Sequence, residues 1–403
     1  MLFFICTAFF GECILVSKDF PKIYNVADYS DISLSSYVPM KINATEKVLP
    51  ANEICNKNCP IILQGRLTLL DIFPVKTVEM HLVDEKKVTP CGTPFGIKLF
   101  TSGPMVINIS EVRTEIGASS PAQEAGIKKS DTITYLNGNP ITTNEALAEA
   151  VEKSEGKTMK VTIMRNNSSL DFNVTPVKSI DDKKYKIGMW VRDSSGGIGT
   201  ITFYDSKNGT FSGLGHGICD VDTGEILPLE HGEIMDASIN GITRGIQGKP
   251  GELKGSFVGE KPIGELSANL QTGIYGKIKN ISTDIPPKKI AMKQQVKTGP
   301  AKILTTISGK KPKYYDINIE SINYNENNPT KNILISITDN ELLEKSGGIV
   351  QGMSGSPIIQ NGMLIGAVTH VFINDPKKGY AIFSETMLTK SHEIFNIINK
   401  INS

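Results

Sequence analysis

Aromatic residues make up only 7% of this 403-residue chain, which has a single tryptophan, five histidines and six cysteines. Charge of one sign is missing too. Its 43 basic and 42 acidic residues leave a net charge of +1, with no strong basic block. That balance excludes the electrostatic footprint of a nucleic-acid-binding protein. The cysteines are too scattered for a disulfide framework: Cys6 and Cys13 belong to an apolar start, and Cys91 and Cys219 stand alone. Cys55 and Cys59 enclose Asn-Lys-Asn and offer at most one small disulfide. No second Cys/His pair at ligand spacing accompanies them, so neither a metal nor a cofactor is expected. Long hydrophobic runs are also lacking. The apolar stretch Met1–Val16 is short for a spanning helix, has no basic n-region and is interrupted by Glu12. We read residues 1–20 as a signal or uncleaved membrane anchor, which points to export, in preference to a buried N-terminal strand.

What the chain does have is 37 glycines and 21 prolines against 39% apolar residues, a composition that suits a loop-rich, mainly β protein. Residues 17 to about 55 are polar and mixed and read as an extended linker. Strands are expected from Ile61, so residues 21–88 form an N-terminal linker followed by strands.

Residues 89–178 form a distinct unit. Pro121 opens a short helix that Gly126 ends. Asp131 leads into an alternating strand turned by Asn137-Gly138, and a second helix spans Asn144 to Lys153. The run Ser120-Pro121-Ala122 through Ala125-Gly126-Ile127, Asp131 and Asn137-Gly138 resembles a PDZ domain of the bacterial protease-associated type. The resemblance implies that Phe95, Gly96 and Ile97 lie in a loop whose N–H groups bind a peptide's terminal carboxylate. A peptide would then add as a strand, with its C-terminus or an internal segment.

The stretch Gly352-Met353-Ser354-Gly355-Ser356-Pro357 places a serine on a glycine-rich turn. A hairpin follows, turned at Asn361-Gly362. Such a turn lets the backbone approach a substrate closely and aims N–H groups at one spot. The layout resembles the chymotrypsin-type serine peptidases, with Ser356 where they carry glycine. A serine nucleophile needs a base. His81, His231 and His392 sit in unremarkable places. His370 ends the strand after the serine, and His216, held in Gly213-Leu214-Gly215-His216-Gly217, is preferred to it. For the orienting acid, spacing alone leaves Asp339, Asp220 and Asp222 open. Asp339 also begins the pattern Asp339-Asn340-Glu341 before Leu342-Leu343, which suits a helix cap.

Taken together, the apolar start, the PDZ-like unit, Gly-Leu-Gly-His216-Gly-Ile and the run Gly-Gly-Ile-Val-Gln-Gly-Met-Ser354-Gly-Ser-Pro resemble the SpoIVB (stage IV sporulation protein B) peptidases. The resemblance implies a PDZ domain followed by a chymotrypsin-like double β-barrel peptidase at 185–403. It implies catalytic Ser354, His216 and Asp339, with the Gly352 and Ser354 N–H groups as the oxyanion hole. It further implies an endopeptidase exported from the forespore into the space between its two membranes. There such an enzyme cleaves a membrane-bound regulator of an intramembrane protease and cuts itself near its N-terminus. The competing class is a non-catalytic PDZ scaffold that captures peptides.

Overall fold

The computed structural model describes residues 19–27, 32–35, 39–48, 62–279, 281 and 284–401. Nearly all of the expected anchor, and the Cys55–Cys59 pair, lie outside the described residues. No helix among the described residues is long and apolar enough to cross a membrane.

Two closed rings of six strands make the body. In the ring nearer the C-terminus, Gly299–Thr305, Lys313–Ile322, Ile333–Ile337, Asp375–Phe383, Met363–Phe372 and Pro357–Gln360 pair in that order and close. Strict alternation along Ile333–Ile337 turns Ile333, Ile335 and Ile337 inward, as the two-residue period of a strand requires. The other ring runs Pro94–Ile109, His231–Thr243, Gly264–Leu270, Gly273–Ile278, Thr210–Gly213 and Met189–Asp205. It closes because its first and last strands also pair with each other. Phe95, Leu99, Phe211 and Ile274 fill it. Closure removes the exposed strand edges that an open sheet of this size would present.

Two strands of this ring, the first barrel in chain order with the other as the second, are the longest in it at 16 and 17 residues. Within the barrel, residues 94–100 pair with 194–200. Past an irregularity between Arg192 and Ser194, residues 105–109 pair with 189–192. There the ribbon enters a second unit with its own core, including Val106, Ile133, Leu147, Val151, Val161 and Ile187. The PDZ-like unit is therefore inserted into the first barrel rather than placed before it. The first barrel thus draws one strand, Pro94–Ile109, from ahead of residues 185–403, the span expected for the peptidase domain. Both expected helices of the unit are present, at Pro121–Ala125 and Asn144–Lys153. The first ends on left-handed Gly126, and Thr143 caps the second by accepting from the Ala146 N–H.

This insertion corrects the reading of Phe95, Gly96 and Ile97. All three are buried in a central strand. Gly96 lies opposite Ile198 on one side and Met235 on the other; Ile97 lies opposite Gly197 and Ile234. With neighbours on both edges, the segment is no open carboxylate-binding loop. A Cβ at Gly96 would also stand 2.3 Å from the Phe257 ring.

The expected linker is likewise structured where it is described. Ile23–Val26, Ile32–Leu34 and Met40–Val48 join Ile62–Leu69 and Phe73–Leu82 in a five-stranded sheet. Its Tyr24, Ile42, Leu67 and Met80 share one continuous core with Ile303, Tyr315 and Phe383 of the second barrel. Two of these strands, of four and three residues, are too short to show a period in the sequence, although Met40, Ile42 and Ala44 alternate in the third.

Candidate active site

Pro357 starts a strand of the second barrel, and the five residues before it, Gly352 to Ser356, form the serine turn. Its shape depends on glycine at two positions, Gly352 and Gly355, with φ of 95° and 94°, where a side chain would be strained. Contact excludes one at Gly355 as well: a Cβ there would lie 2.1 Å from the Thr200 carbonyl oxygen and 2.6 Å from the Leu214 nitrogen. The turn is thus pressed against the first barrel. Thr200 donates its N–H to the Ser354 carbonyl (3.2 Å) and its hydroxyl to the Gly352 carbonyl (2.8 Å). Ser356 is fully buried and donates its hydroxyl to Thr305 (2.9 Å), which gives this serine a structural use where related turns have glycine.

His216 follows the strand Thr210–Gly213 of the first barrel. Left-handed Gly215 brings the chain against the second barrel, where a Cβ would lie 3.0 Å from both Thr369 and Ile382 side chains. The Ser354 hydroxyl donates to the Thr369 carbonyl (2.7 Å). The His216 ring meets the next residue, His370, edge-on at 5.1 Å between centroids. Ser354 thus meets Thr369 while His216 meets the adjacent His370, in the seam between the barrels. Ser354 is not hydrogen-bonded to His216 in this arrangement.

The tautomer of His216 follows from its partner. Nδ1 lies 2.8 Å from the Gly217 carbonyl oxygen. A carbonyl only accepts, so Nδ1 carries the proton and Nε2 keeps a free lone pair. Burial pushes the His216 pKa down to about 4, with the Gly217 carbonyl opposing the shift and His370 adding to it. The ring is neutral at neutral pH, as a general base must be.

Asp339 is not part of this cluster. It follows the strand Ile333–Ile337 and caps the helix Asn340–Ser346, its carboxylate accepting from Leu342 N–H (3.0 Å) and from Asp316 N–H (3.3 Å). The cap pattern is realised, and the structure does not bring this acid to His216. Neither do the rival acids reach the ring. Asp220 accepts from the Asp222 and Thr223 N–H groups (both 2.9 Å) and from Arg192. Among the described residues His216 has no carboxylate partner; the Gly217 carbonyl stands in that position.

The N–H groups of the turn divide in two sets. Met353 donates to Val350 (3.1 Å), Gly355 to Val368 (2.8 Å) and Ser356 to Met353 (2.9 Å). Among the described residues no acceptor is recorded for the Gly352 or Ser354 N–H groups, the pair expected to hold an oxyanion. Sequence reasoning missed Thr200, Thr369 and Arg192. Only Thr369 had a local signal, standing just before His370 in the run after the serine.

A family model described as SpoIVB peptidase S55 matches residues 183–388, and one described as a PDZ domain matches residues 82–175. Among curated proteins, the Regulator of sigma-W protease RasP of Bacillus subtilis is 26% identical over 152 residues, 31% of this chain and 36% of that protein. Serine protease HTRA1 of Xenopus tropicalis is 36% identical over 62 residues, 15% of this chain and 13% of that protein. The chain thus spans well under two thirds of the length of these relatives. A solved PDZ domain of the SdrC-like protein from Listeria monocytogenes is 16% identical, covering 22% of this chain and 87% of that one with a TM-score of 0.19.

Proposed function

The chain belongs to the SpoIVB peptidase S55 family, and from that premise we propose that this serine peptidase is an endopeptidase in which Ser354 is the nucleophile and His216 its base. One observation carries the assignment: the serine turn of the second barrel and the histidine loop of the first come together at the adjacent residues Thr369 and His370. In the working enzyme the Ser354 hydroxyl leaves the Thr369 carbonyl and gives its proton to Nε2 of His216 as Oγ attacks the scissile carbonyl carbon. The Gly352 and Ser354 N–H groups receive the oxyanion. His216 then passes the proton to the departing amine, and water releases the acyl group by the same route in reverse.

The substrates are proteins, recognised in an extended segment. In keeping with the family resemblance, we take the target to be a membrane-bound regulator of an intramembrane protease in sporulation signalling. The enzyme would act after export into the forespore intermembrane space, held there by residues 1–20, and would also cut itself near its N-terminus. The test is mass spectrometry of the purified chain beside Ser354→Ala after incubation at neutral pH. Discrete N-terminal trimming in the parent alone is expected. Equal trimming in both would sink the assignment of Ser354. Two intact masses, with no fluorophosphonate labelling of Ser354, would favour a peptide-binding scaffold.

A further inference from the structure

His216 lies in a long connection between the strands Thr210–Gly213 and His231–Thr243, with almost no regular structure of its own. Two sets of side chains fix this loop. Asn269, on a strand of the same barrel, accepts from Ile218 N–H (2.8 Å) and donates to the Ile218 and Leu227 carbonyls (both 2.9 Å). The other set comes from the strand that runs into the PDZ unit. Arg192 reaches Asp220, whose side chain is fully buried, and its second nitrogen lies 2.8 Å from the half-exposed carboxylate of Asp222. Lys129 of the PDZ unit also donates to the Asp222 carbonyl.

Arg192 has a neighbour that reaches into the PDZ unit. Asp193 accepts the backbone N–H of Asn144 (2.8 Å), the first residue of the helix Asn144–Lys153. That helix, with Ile187 to Val191, walls a groove of about 760 Å³. The strand Met189–Asp205 therefore touches the groove at Trp190, the groove helix at Asp193, the histidine loop at Arg192 and the serine turn at Thr200.

Resting on the reading of His216 as the base, we propose that Arg192 is a positioning residue for His216, and that the pair Arg192–Asp193 ties the histidine loop to the groove helix of the PDZ unit. A buried ion pair is poor evidence of stability alone, because an apolar pair of similar volume does as well. What the charges add here is geometry. Asp220 takes two backbone N–H groups of its own loop and one guanidinium from outside, which fixes where residues 220–223 stand relative to the connecting strand. Loop misplacement of about 1 Å is enough to cost up to a hundredfold in rate.

The experiment combines steady-state cleavage of a fluorogenic peptide with hydrogen exchange on the full chain and on Arg192→Gln, Arg192→Lys, Asp222→Asn and Asp193→Ala. Arg192→Gln is expected to lower kcat roughly tenfold or more with little change in KM. It should speed exchange at residues 216–224 and leave 350–356 as in the parent, and Arg192→Lys should recover part of kcat. If Arg192→Gln does not fold, Asp222→Asn, which removes only the half-exposed carboxylate, carries the test with the same signs. For Asp193→Ala, exchange at 142–148 and at 216–224 should rise together; a rise at the helix alone overturns the tie. Parental kcat and parental exchange in Arg192→Gln overturn the positioning role. If Ser354→Ala still cleaves the peptide, the catalytic reading has failed, and the exchange data alone then decide whether Arg192 holds the loop.

Discussion

His216 has lost its hydration without gaining a charged partner, and this fixes how the enzyme should respond to acid. Burial is the main reason that its pKa falls to about 4 from 6.5. The ring is a base only while neutral, so kcat/KM should persist well below pH 6 and fall as pH drops through about 4. The same shift enters stability with a definite sign. The unfolded chain binds this proton below pH 6.5 and the folded chain does not, so stability present above 6.5 is lost as pH falls to about 4, by roughly 3 kcal/mol in full. The profile of kcat/KM against pH on a fluorogenic peptide checks the first statement. An acid limb near 6.5 or above would mean that a carboxylate reaches the ring in the working enzyme, a contact absent from this arrangement.

At the scale of elements, Asp339 faces two demands that one substitution separates. As the cap of Asn340–Ser346 it offers a side-chain oxygen to Leu342 N–H, and asparagine caps about as well. As the third member of a triad it would need its charge, and asparagine there costs about 10⁴ in kcat. The geometry predicts that Asp339→Asn keeps stability within about 0.5 kcal/mol and kcat within a few-fold of the parent. Thermal melting and kinetics measured side by side check this. A 10⁴-fold loss with unchanged melting would show that the helix start moves to His216 during catalysis. The catalytic role of Asp339 was implied only by the family resemblance, whereas its capping role was visible in the sequence because capping is a local pattern. Ser354 was legible for the same reason: two glycines, a small residue and a proline specify a turn without help from afar. Phe95-Gly96-Ile97 was not, since its strand neighbours lie about a hundred residues away or more, at Gly197–Gly199 and Ile234–Asp236, and no short window contains them. The strands around Tyr24 and Ile42 were hidden in another way, because their burial depends on the second barrel's core.

At the scale of the whole molecule, the insertion of the PDZ unit makes a prediction about independence. Its core and that of the first barrel are separate clusters, joined mainly by one two-stranded ribbon. Phe100 and Ser194 are paired across that ribbon, so their backbones already stand at hairpin distance and a short turn can join them. A chain with residues 101–193 replaced by such a turn keeps every strand of the ring and both ends of the seam where Ser354 and His216 meet. It should fold cooperatively, since the second barrel retains its core and the first loses only Met105 from among its buried residues. It loses Arg192 and Lys129, however, and with them the outer hold on residues 220–222. Fluorophosphonate labelling of Ser354 should therefore be slower than in the full chain but still detectable, because Asn269 continues to hold Ile218 and Leu227. Failure of this chain to fold would mean that the barrel depends on the inserted unit for its stability. Labelling at the parental rate would show that the barrel sets its own histidine geometry without help from the inserted unit.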